Sequence, residues 1–563
     1  MLYDIIIFGG GISGLTLSHE LIKKGFKILI VEKDKEFGGM ARSIEINNIP
    51  SEHSWRGYAP FYKNTFKTLK EIPYEDSNVF NNLSVPVDFY LLQDEIKKYK
   101  PKLSISDYLV LSYLGFQYLL SDERRKKYYT YNVEPFLKKY LSDDGYNHII
   151  NFITGPGYGM NKNEISMGHL FHFPVISYTH KDRHTHVHDG EKTYTHYATD
   201  DWHVMNGPTS NVWIDPWVKY LKRKGVHFMN NTELVKLNFT DGKISSAIVK
   251  SNGFTEKLES KEYVIAMNPY NTVDIFRNSN MKNLEERFDL LTKNTKSKQI
   301  SFRIGINKNI KYPIKNIAFV MNDSEFNITW YPQEKHWKNK PLIKSLWSGT
   351  IIDFEKKGQL FNKNAEQTNK EQLKQEITYQ ILRSKSFQKL IYDSNHFYIK
   401  EEDIEFVEIW YEWEFINGKQ ESKNKKWVNS IYNEQYRPSQ KTSFVNLFLS
   451  GAHTKTTINI WSMEGAVESG KITANLILDK YKKEKINHYK HTDSQPIRVI
   501  QKLDNLLYKF NLPNIATMII FFTIFILTCM ILIFIISIIY KTKNGRKLYK
   551  KILRMGKMGR HYA

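Results

Sequence analysis

Near the start of the chain, six residues have the types and spacing to hold a pair of phosphates: Gly9-Gly10-Gly11-Ile12-Ser13-Gly14. Gly9 lets the chain turn sharply. Gly11 lets backbone approach a pyrophosphate, and Gly14 lets a helix pack close to a strand. The free N–H groups and positive dipole end of that helix face the phosphates. Glu32 stands where a carboxylate takes both hydroxyls of a ribose. The chemistry is dinucleotide binding. The elements that must position it lie on either side: an apolar run from Tyr3 to Phe8, a helix from Leu15 to Lys24 and a second strand from Lys27 to Val31. Strand, helix and acid at their distances argue against a glycine turn that binds nothing.

Five residues after Glu32 comes Gly38-Gly39-Met40-Ala41-Arg42-Ser43. It resembles the second fingerprint of the FAD-dependent amine oxidase and phytoene (carotenoid) desaturase superfamily, where G-G-x-x-R-S lies along the FAD. A third match is Asn446 to Thr454 followed by Ser462-Met463-Glu464-Gly465-Ala466. It resembles the family's closing strand, turn and helix, whose N-terminus aims at the flavin ring. The resemblance covers about residues 1–480. It implies an α/β fold: an FAD-binding Rossmann-like (GR2-type) domain and a second α+β substrate domain.

The same resemblance implies FAD as cofactor, held by Gly9, Gly11, Ile12, Ser13, Gly14, Glu32, Lys33, Gly38, Gly39, Arg42 and Ser43. Val235 is expected by the adenine, and Gly451, Ala452, Ser462 and Met463 at the closing turn. Hydride from a substrate C–C or C–N unit is expected to pass to the flavin. The helix opening at Met463 would set partial positive charge where the reduced ring gathers negative charge. Where the family's turn carries an acid, this chain has Ala452; either His453 substitutes for it or FAD is held more weakly. Two other readings stay open within this fold: an amine oxidase, and a flavin-free or non-redox lipid- or protein-binding carrier like the Rab GDP-dissociation inhibitors. The closing S-M-E-G-A is more similar to the desaturase branch, which implies a lipophilic, isoprenoid-type substrate.

No side chain is singled out as the acid or base. His53, Trp55, Arg56 and Tyr58 follow the second fingerprint and are candidates for the substrate wall; a loop of simply packed aromatics is the alternative. Among them His53 and Tyr58 are the catalytic candidates, with Tyr411 from a run at Phe406 to Phe415 that is expected to be one strand. Eight histidines fall between His169 and His203, with His184, His186 and His188 in alternation. On a strand they share a face that could suit a metal. No cysteine supports them, so a polar ribbon is preferred and no metal is expected.

The expected domain order is 1–75 FAD-binding, 76–224 mainly helical insertion, 225–275 FAD-binding again and 276–440 a mixed substrate sheet. Then come 441–480 closing the FAD domain, 481–514 linker and amphipathic helix, 515–540 a transmembrane helix and 541–563 a basic tail. Gly155 to Gly159 is expected to be a loop.

At 563 residues, 41% hydrophobic and 14% aromatic, the chain is a folded protein of more than one lobe. The net charge of +22 is spread among Asn, Ile and Tyr, no nucleic-acid motif accompanies it, and no nucleic-acid partner is inferred. The one cysteine, Cys529, excludes an internal disulfide. From Phe510 to Tyr540 there is no charge. About 25 residues at ~1.5 Å each reach roughly 37 Å, enough for a hydrocarbon core of about 30 Å. Nine basic residues and no acids follow Tyr540. The positive-inside rule alone would put that tail in the cytosol. The chain enters its first strand within three residues, read as no room for a signal peptide. The expectation is therefore cytosolic flavin lobes, a single span and a short tail on the far side, against an anionic leaflet.

Overall fold

The computed structural model describes residues 3–558 except 55, 93–95, 99–102, 181–184, 190–191, 197–201, 296–297, 313–316, 322 and 340. They fall into two compact units, Met1–Asp107 with Tyr129–Thr492, and Tyr108–Tyr128 with Asp493–Ala563. Along the chain, β1 (Tyr3–Phe8), α1 (Ile12–Ile22) and β2 (Ile28–Val31) come first, then α2 (Lys63–Glu71). Next are β3 (Leu83–Leu92), α3 (Ile105–Leu120), α4 (Asp122–Tyr128) and β4 (Trp202–Met205). β5 (His227–Met229) and β6 (Ser260–Ile265) precede β7 (Ile300–Ile306), β8 (Ile317–Met321) and β9 (Thr329–Pro332). β10 (Ser345–Ile351), β11 (Ile404–Ile409), β12 (Leu447–Leu449) and α5 (Met463–Lys480) complete the first unit's frame.

The first sheet is parallel throughout, in the order β5–β2–β1–β6–β12. A sheet covered on both faces needs strands that are apolar at every position, which is how Ile5-Ile6-Ile7-Phe8 reads. Ile5 and Ile7 enter one core with Leu15, Leu21, Trp217 and Val467. Ile6 and Phe8 enter the other with Leu234, Tyr263 and Phe276. At the exit of β1, Gly9 has φ +109°, and a Cβ on Gly14 would stand 2.1 Å from the Gly9 carbonyl oxygen. Only glycine lets α1 lie this close to the strand.

The second sheet runs β4–β3–β8–β9–β10–β7–β11, with Ile96–Lys98 beside β3. Ile304, Trp330 and Trp347 pack from it against the helices Lys370–Arg383 and Lys385–Asn395.

Several expectations change. The stretch 76–224 is helical in part, yet it gives β3 and β4 to the second sheet. β3 pairs in parallel with β8, far along the chain, so no local pattern marks it. The stretch 276–440 holds the helical pair just named as well as sheet. The run from Phe406 to Phe415 is not one strand: β11 ends at Ile409, and Trp413–Ile416 starts a separate hairpin with Lys419–Ser422. Gly155 and Gly157 lie in a wide helical turn, Ile153–Gly157, rather than a loop. The start of the expected linker is packed in place, with His491 Nε2 2.9 Å from the Phe61 carbonyl and Asn64 Nδ2 donating to Tyr489 O at 3.0 Å. His186 and His188 lie on the strand Thr185–Asp189, paired antiparallel with Lys192–His196; His184 lies outside the described residues.

The second unit adds α6 (Gln495–Lys509), α7 (Ile515–Lys541) and α8 (Lys543–Met558) to the segment Tyr108–Tyr128. Among the described residues, α7 is the one helix long and apolar enough to cross a membrane. The chain turns at Thr542, where Gly545 lies against the Ile539 carbonyl and the rings of Tyr540 and Tyr549 meet at 5.4 Å.

Glu20 on α1 and Lys471 on α5 form a buried ion pair, with Lys23 3.5 Å from the same carboxylate. Burial pushes the Glu20 carboxyl up, but the two lysines outweigh it and hold it below its usual range. Lys471→Met is expected to cost about 3–5 kcal/mol, because it strips a buried charge of its main partner; adding Glu20→Leu should recover most of that. A double-mutant cycle by urea unfolding measures it. A depressed carboxyl stabilises above its unfolded pKa and loses that contribution as pH falls, so the gap between wild type and the double variant should narrow in acid.

Candidate functional site

Both ends of the first unit's sequence line one cleft of about 680 Å³. At its dinucleotide end, Gly38 N donates to Gly10 O at 2.8 Å, drawing the two glycine fingerprints together. A Cβ on Gly39 would stand 3.3 Å from the Gly11 Cα, so side chains here would fill the cradle. Glu32 lines the cleft and is 8% exposed. Its carboxylate accepts from Gly10 N at 2.7 Å and Asp34 N at 3.1 Å, and burial pushes its pKa up. Gly9, Gly11, Ile12, Ser13, Lys33, Gly38, Gly39, Arg42 and Val235 line the same cleft. Arg42 is fixed by Asp34 at 3.0 Å, Tyr411 Oη at 2.9 Å and Glu412 at 3.3 Å.

Two residues of the expected set stand outside the lining. Gly14 serves the helix–strand approach described above. Ser43 is occupied by Ser210: each residue's backbone N–H donates to the other's hydroxyl, at 2.9 and 2.8 Å.

The closing segment completes the cleft with Gly451, Ala452, Ser462, Met463 and Ala466. Ser13 and Ser450 hydroxyls meet at 2.6 Å, tying the first helix to the last strand. Ser462 caps α5 by accepting from Gly465 N at 3.1 Å. Glu464 turns away from the cleft and accepts four bonds of 2.7–2.9 Å from Asn64 and Thr65, N–H groups at the start of α2 among them. The acid of S-M-E-G-A is thus a helix-to-helix tie. His453 lines the cleft beside Ala452, is 3% exposed, and its Nε2 is an orphaned buried polar atom. Burial, then Arg437, holds its pKa down at about 3, so it is a neutral donor or acceptor.

The opposite end of the cleft is walled by Phe61, Tyr62, Tyr158, Phe173, Trp202 and Trp461. Phe173 and Trp202 stack at 5.7 Å. His53 lines the same cleft, its ring edge-on to Trp410 at 5.9 Å; burial, helped by Arg56, Lys426 and Arg42, holds its pKa at about 3. Arg56 also lines it, paired to Glu52 at 3.2 Å. Tyr58 does not: it is fully buried against Trp213, with ring centroids 5.9 Å apart. Tyr411 is 41% exposed, outside the lining, and serves Arg42. Trp55 lies outside the described residues.

Lys426 carries no motif that marks it in the sequence. It is 7% exposed and donates to Gly159 O and Gln299 Oε1, both at 2.7 Å, with its ammonium 5.2 Å from the Trp461 ring centroid. Burial drops its pKa to about 7, partly countered by Glu164. Among the described residues, the lining acids are Glu32, Asp34, Glu233 and Asp274, and none belongs to the aromatic wall. A lysine in a cluster of exposed-looking lysines reads as surface from sequence, since only the fold returns it to the cleft.

The glycine cradle, the buried Glu32 carboxylate, the orphaned His453 nitrogen and the long cleft fit FAD. Known proteins agree. The model of the NAD(P)-binding Rossmann-like domain matches residues 7–72, and that of the flavin containing amine oxidoreductases matches residues 426–478. (S)-6-hydroxynicotine oxidase of Paenarthrobacter nicotinovorans is 43% identical over 49 residues, which is 9% of this chain and 12% of that protein. A redesigned putrescine oxidase superposes with TM-score 0.60 at 14% identity, over 85% of this chain and 99% of its own. Cyclohexylamine oxidase from Brevibacterium oxydans IH-35A gives 0.56 at 14% identity, over 86% and 100%. The chain has the fold of the FAD-dependent amine oxidase superfamily and carries its signatures near both ends of the sheet-forming unit. The cofactor of this architecture is FAD.

Two outcomes test the site. Glu32→Ala is expected to weaken FAD binding tenfold or more, since a charge-assisted bond contributes about 1.5–3 kcal/mol; flavin fluorescence titration reads it. Lys426→Met is expected to flatten the pH dependence of stability. Between pH about 7 and about 10 the unfolded chain holds a proton that the folded one has released, so wild-type stability climbs with pH there. Urea midpoints of the two proteins across that range show whether the slope difference exists.

Proposed function

We propose that this protein is an FAD-dependent oxidoreductase that takes hydride from a neutral, lipophilic substrate, and that α7 anchors it in a membrane with the flavin unit on the cytosolic side. Bound FAD supplies the hydride acceptor. The residues assigned to hold it are those lining the cleft from Gly9 to Arg42, Val235 and the turn from Gly451 to Met463. Gly14 and Ser43 support that set from outside the lining.

One observation carries the substrate reading: among the described residues the aromatic wall includes no lining carboxylate, the buried Lys426 stands over its Trp461, and the same cleft is lined by a neutral His53 and by Arg56, already paired to Glu52. A charged amine entering this wall would lose its water without gaining a counter-ion, which is costly. An apolar substrate brings no charge that needs a counter-ion there. Lys426 is placed to hold a water or take a proton from a substrate above pH about 7. An amine is the second reading, favoured by the putrescine and cyclohexylamine oxidases that share the fold; it would have to bind uncharged.

Anaerobic mixing of the yellow protein with an isoprenoid alkene or a hydrophobic secondary amine is expected to bleach the flavin band. Bleaching by putrescine alone would overturn the lipophilic reading, and a preparation that stays colourless after incubation with FAD would overturn the oxidoreductase. For topology, protease added outside sealed vesicles is expected to digest the flavin unit and spare a C-terminal tag.

A further inference from the structure

α6 is built inside out for water. At about 100° per residue its side chains fall on three faces. Gln501 and Asp504 face inwards and are buried, 6% and 0% exposed. Val499, Leu503 and Leu506 face outwards, 57%, 54% and 52% exposed, and Phe510 extends the row just past the helix end at 74%. Arg498, Lys502 and Lys509 make a third stripe, exposed, roughly a quarter-turn from the apolar one.

The polar face is inside for a reason. Asp504 Oδ2 accepts from Ser121 Oγ and, at 3.2 Å, from Arg124 Nε. Its Oδ1 accepts from Ile515 N at 2.9 Å, at the first residue of α7. Gln501 donates to Leu119 O at 2.9 Å and to Asp493 at 2.8 Å. Tyr113 of α3 meets Thr517 of α7 at 2.7 Å between hydroxyls. One buried carboxylate therefore joins the α3–α4 corner, α6 and the start of the span. Along α3, Leu109 and Phe116 also face outwards, 67% and 46% exposed.

We propose that the outer face of α6 is a lipid-binding shoulder: it lies in the interface of the leaflet that α7 enters, with Val499, Leu503, Leu506 and Phe510 among the acyl chains and the basic stripe against anionic headgroups. This rests on α7 being a span. The occupant follows from continuity, since the apolar row ends at Phe510 and the uncharged helix starts at Ile515, fixed to α6 through Asp504. It also follows from charge: a basic stripe beside an apolar one matches an anionic interface, and a protein partner would not require it.

The test uses the full chain with Cys529→Ser, carrying a single cysteine at Leu503 or, as an aqueous control, at Phe254, which is 81% exposed in the first unit. Each is labelled with an environment-sensitive fluorophore and reconstituted into phosphatidylcholine–phosphatidylglycerol vesicles; flavin absorbance confirms the fold. The Leu503 label is expected to be quenched by a nitroxide high on the lipid acyl chain, with several-fold weaker iodide quenching than the Phe254 label. Lys502→Glu with Lys509→Glu should reduce that protection in vesicles containing phosphatidylglycerol and leave it unchanged in pure phosphatidylcholine. Equal iodide quenching at Leu503 and Phe254, in protein that resists alkaline carbonate extraction, overturns the shoulder and leaves the span standing. Extraction by carbonate overturns the span, and the shoulder with it.

Discussion

Two serine hydroxyls 2.6 Å apart, Ser13 on the first helix and Ser450 after the last strand, mark the constraint on which the flavin unit depends. The cleft is complete only when the chain's early and late segments have met. β1 and β12 both pair with β6, and Glu20 and Lys471 lock the helices that follow them. Everything between is carried on that closure. The second sheet supplies Thr329 and Thr350 to the cleft, the segment before β12 supplies Lys426, and the turn after β12 supplies Trp461 just ahead of the capped start of α5.

That arrangement divides the cleft's chemistry. Among the described residues two of its acids, Glu32 and Asp34, stand by the glycine turns, and the other two, Glu233 and Asp274, lie on the strand and helix beside Val235. Its other end is aromatic and carries positive charge that burial weakens. A shared fold does not fix the substrate, so the polarity of this end, not the fold, bears on the substrate class. Lys426 is the group whose charge changes near neutrality, and its partners are a carbonyl and an amide rather than a carboxylate.

The sheet and its cradle were legible because their causes are local: an apolar run, glycines where backbone must approach backbone, an acid at a strand end. α3 was legible from Ile105 to Leu120 for the same reason. What was not legible depended on partners far along the chain. β3 has no pattern apart from β8, and β11 stops at Ile409, short of Glu412, whose partner is the distant Arg42. Tyr58 and Ser43 sit beside cleft residues in sequence but spend their contacts on Trp213 and Ser210. Lys426 looked like one more solvated lysine. Glu464 looked like part of a flavin motif, and its four bonds show a structural tie.

The closure between Ser13 and Ser450 also sets a schedule for biosynthesis. Strands of a parallel sheet gain little until their distant neighbours arrive, because loop closure precedes the contacts that offset it. While the ribosome is still making the middle of the chain, β1 and β6 lack β12, and α1 lacks α5. The glycine cradle then lacks the closing turn from Gly451 to Met463 that lines the same cleft. When α5 finally emerges, the apolar α7 is only a short stretch of translation behind it. Cofactor loading and the emergence of the long apolar helix are thereby pushed into the same interval, when the nascent chain has the most apolar surface left to cover.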